Sequence, residues 1–249
     1  MNQITGTIKH LIIINVIFFA ATQFLGDVLY TNLSLYYPTN PNFGLWQFIS
    51  HMFMHGGMMH ILFNMYALWA FGSPLETMWG KNKFLFFYFA TGLGAGALYT
   101  LVNYYQFSGI YEQLVSIGLS ADDINNLLES GKYNTAIESS IPIDKIREFY
   151  QIFHTPAVGA SGAIYGVLVA FAFKFPEAEL MLMFIPVPVK AKYFIPAIVA
   201  LDLFSGLTGF SVFGAFGGGG IAHFAHVGGA LIGYLLMLYF QKTQFRRWN

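Results

Sequence analysis

The sequence predicts an all-α, polytopic membrane protein: a bundle of six transmembrane helices with both termini in the cytoplasm. Three observations predict it. Of 249 residues, 56% are hydrophobic and only 10% charged, where an ordinary soluble domain carries roughly 25% charged residues. The apolar residues gather into six runs of the length that crosses a bilayer core, roughly 20 residues. Nine of the twelve basic residues fall on one side of the alternating arrangement that six spans impose, the other three, Lys132, Lys145 and Arg147, lying within one long loop. The same composition excludes other classes. The 12 Lys+Arg balance 12 Asp+Glu and leave no basic surplus for phosphate contacts, so no nucleic-acid partner is expected. The chain has no cysteine, which removes disulfides, Fe–S clusters, zinc-thiolate sites and a cysteine nucleophile. With 26 Gly beside 27 Phe and 15 Tyr, helices can approach closely at small residues.

The predicted spans are 8–25, 58–78, 84–102, 156–175, 193–213 and 221–240. Lys9 ahead of the first run and the small pair Ala20-Ala21 would also suit a cleaved signal peptide. Five further runs follow, however, and no clear A-x-A site closes the first, so 8–25 is read as a span. Lys9, Lys81, Lys83, Lys174, Lys190, Lys192, Lys242, Arg246 and Arg247 lie on one face, and the positive-inside rule makes that face cytoplasmic. On the other face, 26–57 carries Tyr30, Tyr36, Tyr37 and Trp46 but no Lys or Arg, which fits a segment lying at headgroup level. The chain reads as a single membrane domain over 1–249 with an extracytoplasmic insertion, 103–155, between spans 3 and 4. That insertion holds seven of the twelve acidic residues. Within it, Ser120-Ala-Asp-Asp opens a helical pattern that Gly131 can end, and 143–153 is a second; the insertion is too short to be expected to build a core of its own.

Polar groups inside spans are costly and mark candidate functional sites. Gly159-Ala-Ser161-Gly162-Ala-Ile-Tyr165-Gly166 opens span 4. A serine among small residues at a helix N-terminus has both an accessible hydroxyl and unpaired N–H groups nearby. By itself the segment reads better as a packing face from Gly162 to Gly166. Ala222-His223-Phe-Ala-His226-Val-Gly-Gly229, with Gly233 one turn on, opens span 6. Its histidine is equally a packing residue or a proton carrier. His60 and Asn64 lie four residues apart on one face of span 2 and both can donate hydrogen bonds, either as interhelical glue or toward a reacting group. His51 and His55 share the same spacing and could ligate a metal.

Depth links these motifs. Spans 2, 4 and 6 all run from outside to inside. Asn64, Ser161 and His226 fall about four to six residues into their spans, on the order of 6–9 Å. A nucleophile, a base and oxyanion donors thus meet at one level near the outer face. His60-Ile-Leu-Phe-Asn64, Gly159-Ala-Ser161-Gly162 with Tyr165, and Ala225-His226-Val-Gly-Gly229 with Gly233 together resemble the rhomboid family of intramembrane serine proteases.

That resemblance implies a Ser–His dyad without an acidic third member. Ser161 would be the nucleophile and His226 the general base. His60, Asn64 and the backbone N–H of Ser161 would hold the oxyanion, and Tyr165 would pack on and orient the His226 ring. Gly229 and Gly233 would bring span 6 against span 4 near Gly162 and Gly166. The glycine-rich 214–220 would cap the site, span 5 would be the lateral gate, and Glu76 would be structural. The implied substrates are single-span transmembrane proteins cut near the outer face of the bilayer, in a bacterial cytoplasmic membrane. No metal, nucleotide or other cofactor is implied, and no oligomeric state. The chain departs from well-known bacterial members in lacking a Trp-Arg dipeptide in the first loop and in its long insertion; Asp202 in span 5 either bonds a neighbouring helix or helps water reach the site, and the structural role is preferred. Di-iron hydroxylase and metal-transporter readings lack enough ligands, and H-E-x-x-H is absent. The remaining rival is a non-catalytic rhomboid-like scaffold that binds transmembrane helices, whose mark would be loss of the serine or histidine; both are present.

Overall fold

Eleven α-helices and one β-hairpin make up the described part of the chain, residues 3–182, 185–209 and 223–245 of the computed structural model. In order they are α1 (Gly6–Leu25), α2 (Asp27–Leu33), α3 (Gln47–Ser50), α4 (Met58–Ala67), α5 (Ser73–Trp79), α6 (Lys81–Ser116), α7 (Ala121–Ser130), α8 (Ile143–His154), α9 (Ser161–Lys174), β1 (Glu179–Leu182), β2 (Ile185–Lys190), α10 (Ala191–Thr208) and α11 (His223–Phe245). Four are long and apolar enough to cross a bilayer: α1, α6, α10 and residues His223–Lys242 of α11. Large apolar side chains on them point outward, Ile17 at 58% and Leu207 at 71% exposure, as contact with lipid tails requires. The chain is a multi-pass helical membrane protein.

The other two expected spans are helical but built differently. Residues 58–79 comprise α4, a widened π turn at Leu68–Gly72, and α5. Pro74 offers no N–H, so the regular ladder cannot pass through it and the turn opens just ahead of it. Helix α9 has 14 residues, about 21 Å at 1.5 Å per residue, against a hydrocarbon core of about 30 Å. Its expected first turn is instead extended. Leu35 and Ala157 exchange backbone hydrogen bonds of 2.9 and 2.8 Å, and Gly159 N–H donates to the His51 carbonyl at 2.9 Å. The first loop therefore pins residues 157–159 outside the helix, through one isolated bridge at Ala157 and the Gly159 bond, and makes Ser161 the first helical residue.

Two further boundaries move. Helix α6 passes the expected end at 102 and continues to Ser116, because Phe107, Ile110 and Leu114 recur at helical spacing and bury against the insertion. With Ile124, Leu127 and Leu128 of α7 and Ile146, Phe149 and Ile152 of α8 they form a second apolar cluster. The insertion thus obtains its core by borrowing a face of a spanning helix. Helix α7 begins with a reciprocal Ser120/Asp123 capping box and ends at Gly131 in the left-handed conformation. Helix α10 ends at Thr208, followed by left-handed Gly209, earlier than the expected 213. The hairpin β1–β2 was not anticipated. It is tied back by Glu177, whose carboxylate meets Lys192 at 2.5 Å and Lys190 at 2.8 Å. Hydrogen bonds from these two ammonium groups hold the exposed Glu177 carboxyl down to about 2.

The principal core lies where α6, α9 and α11 pack together, with Tyr88, Phe84 and Phe87 fully buried on α6. Helix α1 is fastened to this core through its N-terminus. Thr5 caps it without a side-chain bond. Glu76 of α5 serves instead, accepting from Thr7 N–H at 3.0 Å, Ile8 N–H at 3.1 Å and the Thr5 hydroxyl. A carboxylate at a helix N-terminus satisfies orphan N–H groups and opposes the positive end of the dipole. Glu76→Ala leaves those donors unpaired and should cost about 1–3 kcal/mol. A lowered thermal midpoint in detergent is expected, with Ser161 reactivity at 25 °C unchanged.

Candidate active site

Four elements converge on one point: the N-terminus of α9, the first turns of α4 and α11, and the far end of α10. Ser161 opens α9, which has no side-chain cap. The N–H groups of its first turn have no intrahelical acceptor and face outward from the helix end. One helix away, His226 Nε2 lies 2.8 Å from Ser161 Oγ. The Tyr165 ring, one turn beyond the serine, stacks on the His226 ring with centroids 4.2 Å apart and planes 10° from parallel. A serine hydroxyl bonded to an imidazole nitrogen in this way can transfer its proton to it on attacking a carbonyl.

This contact is set by glycines. A Cβ on Gly229 would lie 1.8 Å from the Gly162 carbonyl oxygen, and one on Gly233 would lie 2.7 Å from the Gly166 Cα. Helices α9 and α11 therefore meet backbone to backbone. Gly162 and Gly166 turn their own missing side chains toward α6, where a Cβ would come within 2.6 Å of Ala95 and 2.4 Å of Thr91. One pair of glycines seats α11 on α9; the other seats α9 on α6.

His60 and Asn64 close the opposite side. Gly159 has φ +118°, a conformation strained for any side chain, and a Cβ there would stand 2.7 Å from His60 Nε2 and 3.5 Å from Asn64 Nδ2. Gly56 N–H donates weakly to His60 Nδ1 at 3.4 Å, which assigns the remaining proton to Nε2. Among the described residues the buried Asn64 amide nitrogen has no hydrogen-bond partner. Two donors thus face the turn that leads into Ser161. The first loop fixes that turn: buried Gln47 accepts from Tyr36 N–H at 3.2 Å and donates to the Asn42 carbonyl at 2.7 Å. His51 Nδ1 bonds the Gln47 carbonyl at 2.7 Å. Burial lowers the His51 imidazole to about 4, so it is neutral at pH 7 and donates that bond. His55 stacks edge-on against His60 at 5.1 Å. Among the described residues neither His51 nor His55 joins a group of three possible metal ligands.

Sequence reasoning left Asp202 between a bond to a neighbouring helix and a part in bringing water to the site, with the structural role preferred; the structure puts it beside His226. Its carboxylate, 1% exposed, contacts His223 Nδ1 at 2.5 Å, His226 Nδ1 at 3.3 Å and the Tyr165 hydroxyl. The missed signal was depth. With span 5 drawn to 213, Asp202 sits roughly eleven residues from its outer end, on the order of 16 Å; with the observed end at Thr208 it sits roughly six residues away, about 9 Å, level with Ser161 and His226. Asp202, His223 and His226 are also the described residues able to offer three metal-ligand atoms, all within 4.8 Å of one another. The expected cap at 214–220 lies outside the described residues.

A model of the rhomboid domain matches residues 42–122 and 132–243. The chain is similar to the rhomboid protease AarA of Providencia stuartii, 25% identical over 198 residues that cover 78% of this chain and 55% of that protein. It is also similar to the rhomboid protease GluP of Bacillus subtilis (strain 168), 38% identical over 48 residues, 19% of this chain and 10% of that protein. The chain spans about half the length of the first relative and a tenth of the second.

The glycine contacts make a sharp test. Gly229→Ala must push α11 off α9, breaking the Ser161–His226 contact and costing about 1–3 kcal/mol of packing. Gly6→Ala, where no atom lies within 4 Å of the new methyl, serves as control. Fluorophosphonate labelling of Ser161 should be lost in the first variant and retained in the second.

Proposed function

The chain belongs to the rhomboid family, and we propose that it is an intramembrane serine endopeptidase that cleaves transmembrane segments near the outer face of the bilayer. The observation that carries this reading is the 2.8 Å contact between Ser161 Oγ and His226 Nε2, made at the level of the donors on His60 and Asn64. The topology proposed with it has six spans and both termini in the cytoplasm, in a bacterial cytoplasmic membrane. Residues 1–249 act as one membrane domain, with the insertion on the outer side.

Ser161 Oγ attacks the scissile carbonyl while its proton passes to His226 Nε2. The carbonyl oxygen, now negative, accepts hydrogen bonds from His60 Nε2–H, the Asn64 amide and the backbone N–H of Ser161. Donors fixed before the reaction stabilise the new charge with little reorganisation. The imidazolium then gives its proton to the leaving amine. A water attacks the acyl-enzyme, with His226 again as base, and releases the second product. Tyr165 holds the imidazole plane throughout. Single-span substrates must unwind locally, because a helical amide is hydrogen-bonded and shielded within its own backbone. Helix-breaking and small residues at the scissile position therefore favour cleavage.

The chemistry needs no metal, which sets it apart from any function for the Asp202–His223–His226 group as a metal centre. Cleavage of a transmembrane reporter co-reconstituted in liposomes should occur near the reporter's outer boundary. Ser161→Ala should abolish it without unfolding the bundle, and chelators should leave wild-type turnover unchanged. Preserved cleavage in Ser161→Ala, or chelator inhibition reversed by added metal, overturns the assignment. If wild-type and Ser161→Ala proteins both bind several helix-destabilised reporters and cleave none, the scaffold reading replaces it.

A further inference from the structure

Asp202 has no task in the mechanism above, yet it is among the most deeply buried ionisable groups of the described chain, 1% exposed on an apolar helix. A carboxylate kept in such a place without partners is strongly destabilising. All three of its partners belong to the catalytic neighbourhood. The Tyr165 hydroxyl donates to Oδ2, His223 Nδ1 lies 2.5 Å from Oδ1, and His226 Nδ1 lies 3.3 Å from Oδ2. Tyr165 is also the residue stacked on the His226 ring. The carboxylate is therefore fixed by α9 and α11 together, at the edge of the imidazole opposite to Ser161.

The proton inventory of that imidazole gives the position a meaning. Ser161 Oγ–H must donate to His226 Nε2 for the serine to be activated, so Nε2 carries a lone pair. The single proton of neutral His226 is then on Nδ1, and Nδ1 faces Asp202. The 3.3 Å contact is within ion-pair range but off the line of a directed hydrogen bond, and among the described residues Nδ1 has no other partner. Resting on the serine-protease reading, we propose that Asp202 is a positioning residue for His226. It selects the tautomer with the proton on Nδ1, and it faces the imidazolium with a compensating negative charge when Nε2 takes the proton of Ser161. Asp202 itself stays ionised; the proton goes from Ser161 to Nε2 and on to the leaving amine. Tyr165 and His223 keep the carboxylate from turning away. The site is thereby a serine–histidine pair completed by an acid from a different helix, α10.

A purely structural Asp202 would be served by Tyr165 and His223 alone, and Asp202→Asn separates the two roles. Asparagine keeps the volume and a carbonyl acceptor but removes the charge. Removing the acid from a well-aligned triad lowers kcat by about 10⁴; the off-line contact here predicts about 10- to 100-fold. Fluorophosphonate labelling rates and reporter kinetics should be measured for wild type, Asp202→Asn and Asp202→Glu, with Ser161→Ala as zero. Labelling and kcat should fall together in Asp202→Asn, with KM within about threefold and the thermal midpoint retained, and Asp202→Glu should recover part of the loss. Labelling and cleavage by Asp202→Asn within about twofold of wild type overturn the proposal while leaving the serine assignment intact. Full activity in Ser161→Ala overturns the serine assignment itself. If Asp202→Asn does not fold, the ¹⁵N resonances of the His226 ring are read in wild type at neutral pH instead. A proton on Nδ1 with a lone pair on Nε2 supports the proposal, and a proton on Nε2 overturns it.

Discussion

The rest of the molecule depends on a backbone-to-backbone contact between two helices. Gly229 meets the Gly162 carbonyl, and Gly233 meets Gly166 one turn deeper. In lipid there is no hydrophobic force to press helices together, so close packing of small residues must do so. Without Cβ atoms the two backbones approach far enough for weak Cα–H to carbonyl contacts to contribute. This proximity lets a serine on one helix and a histidine on the other meet at 2.8 Å without long side chains. Short reach keeps both rotamers few, and the entropy lost in holding them is small. The Tyr165 ring stacks on the imidazole and holds its plane.

A bilayer offers no water to satisfy polar groups at depth, so each one reports on its neighbours. Glu76 closes the N-terminus of α1, and Gln47 closes the first loop onto itself. Thr91 returns its hydroxyl to the Phe87 carbonyl within α6. Among the described residues the Ser34, Ser73, Tyr88 and Ser205 hydroxyls are buried without a hydrogen-bond partner, and so are the Asn64 amide nitrogen and His226 Nδ1. The last two sit around Ser161. Unsatisfied donors in a low-dielectric site retain their full capacity for a charge that arrives during a reaction.

How much could be read from the sequence follows from what each residue's environment depends on. Multi-pass membrane character depends on composition and run length, both local, and it was legible. The nearness of Ser161, His226, His60 and Asn64 was inferred from their depth in spans 2, 4 and 6, which needs only approximate boundaries. The partners of Asp202 could not be read because its depth depends on where span 5 ends, and the apolar residues after Gly209 hid that end. The late start of α9 was illegible for another reason: it comes from hydrogen bonds to Leu35 and His51, more than a hundred residues away in sequence. The run of α6 past 102 was present as the 107/110/114 stripe, but the polar residues between were read as the end of a span. The β1–β2 hairpin carries two prolines in its second strand and showed no clear alternation.

These boundary effects join the insertion to the site. Helix α6 has two faces at different heights. Near its middle, Ala95 and Thr91 receive Gly162 and Gly166; toward its end, Phe107, Ile110 and Leu114 receive α7 and α8. From α8 the chain returns directly into the segment that delivers Ser161. That return is fastened at each step: Asn40 donates to the Phe153 carbonyl at 2.7 Å, Leu35 pairs with Ala157, and Gly159 donates to the His51 carbonyl. The insertion is therefore not a pendant loop. It fixes the entry to α9 from one side as the first loop fixes it from the other. The φ +118° turn at Gly159, which exposes the helix N-terminus to His60 and Asn64, is held between them. A strained turn persists only where its surroundings over-determine it, and here two loops and one long helix do so together.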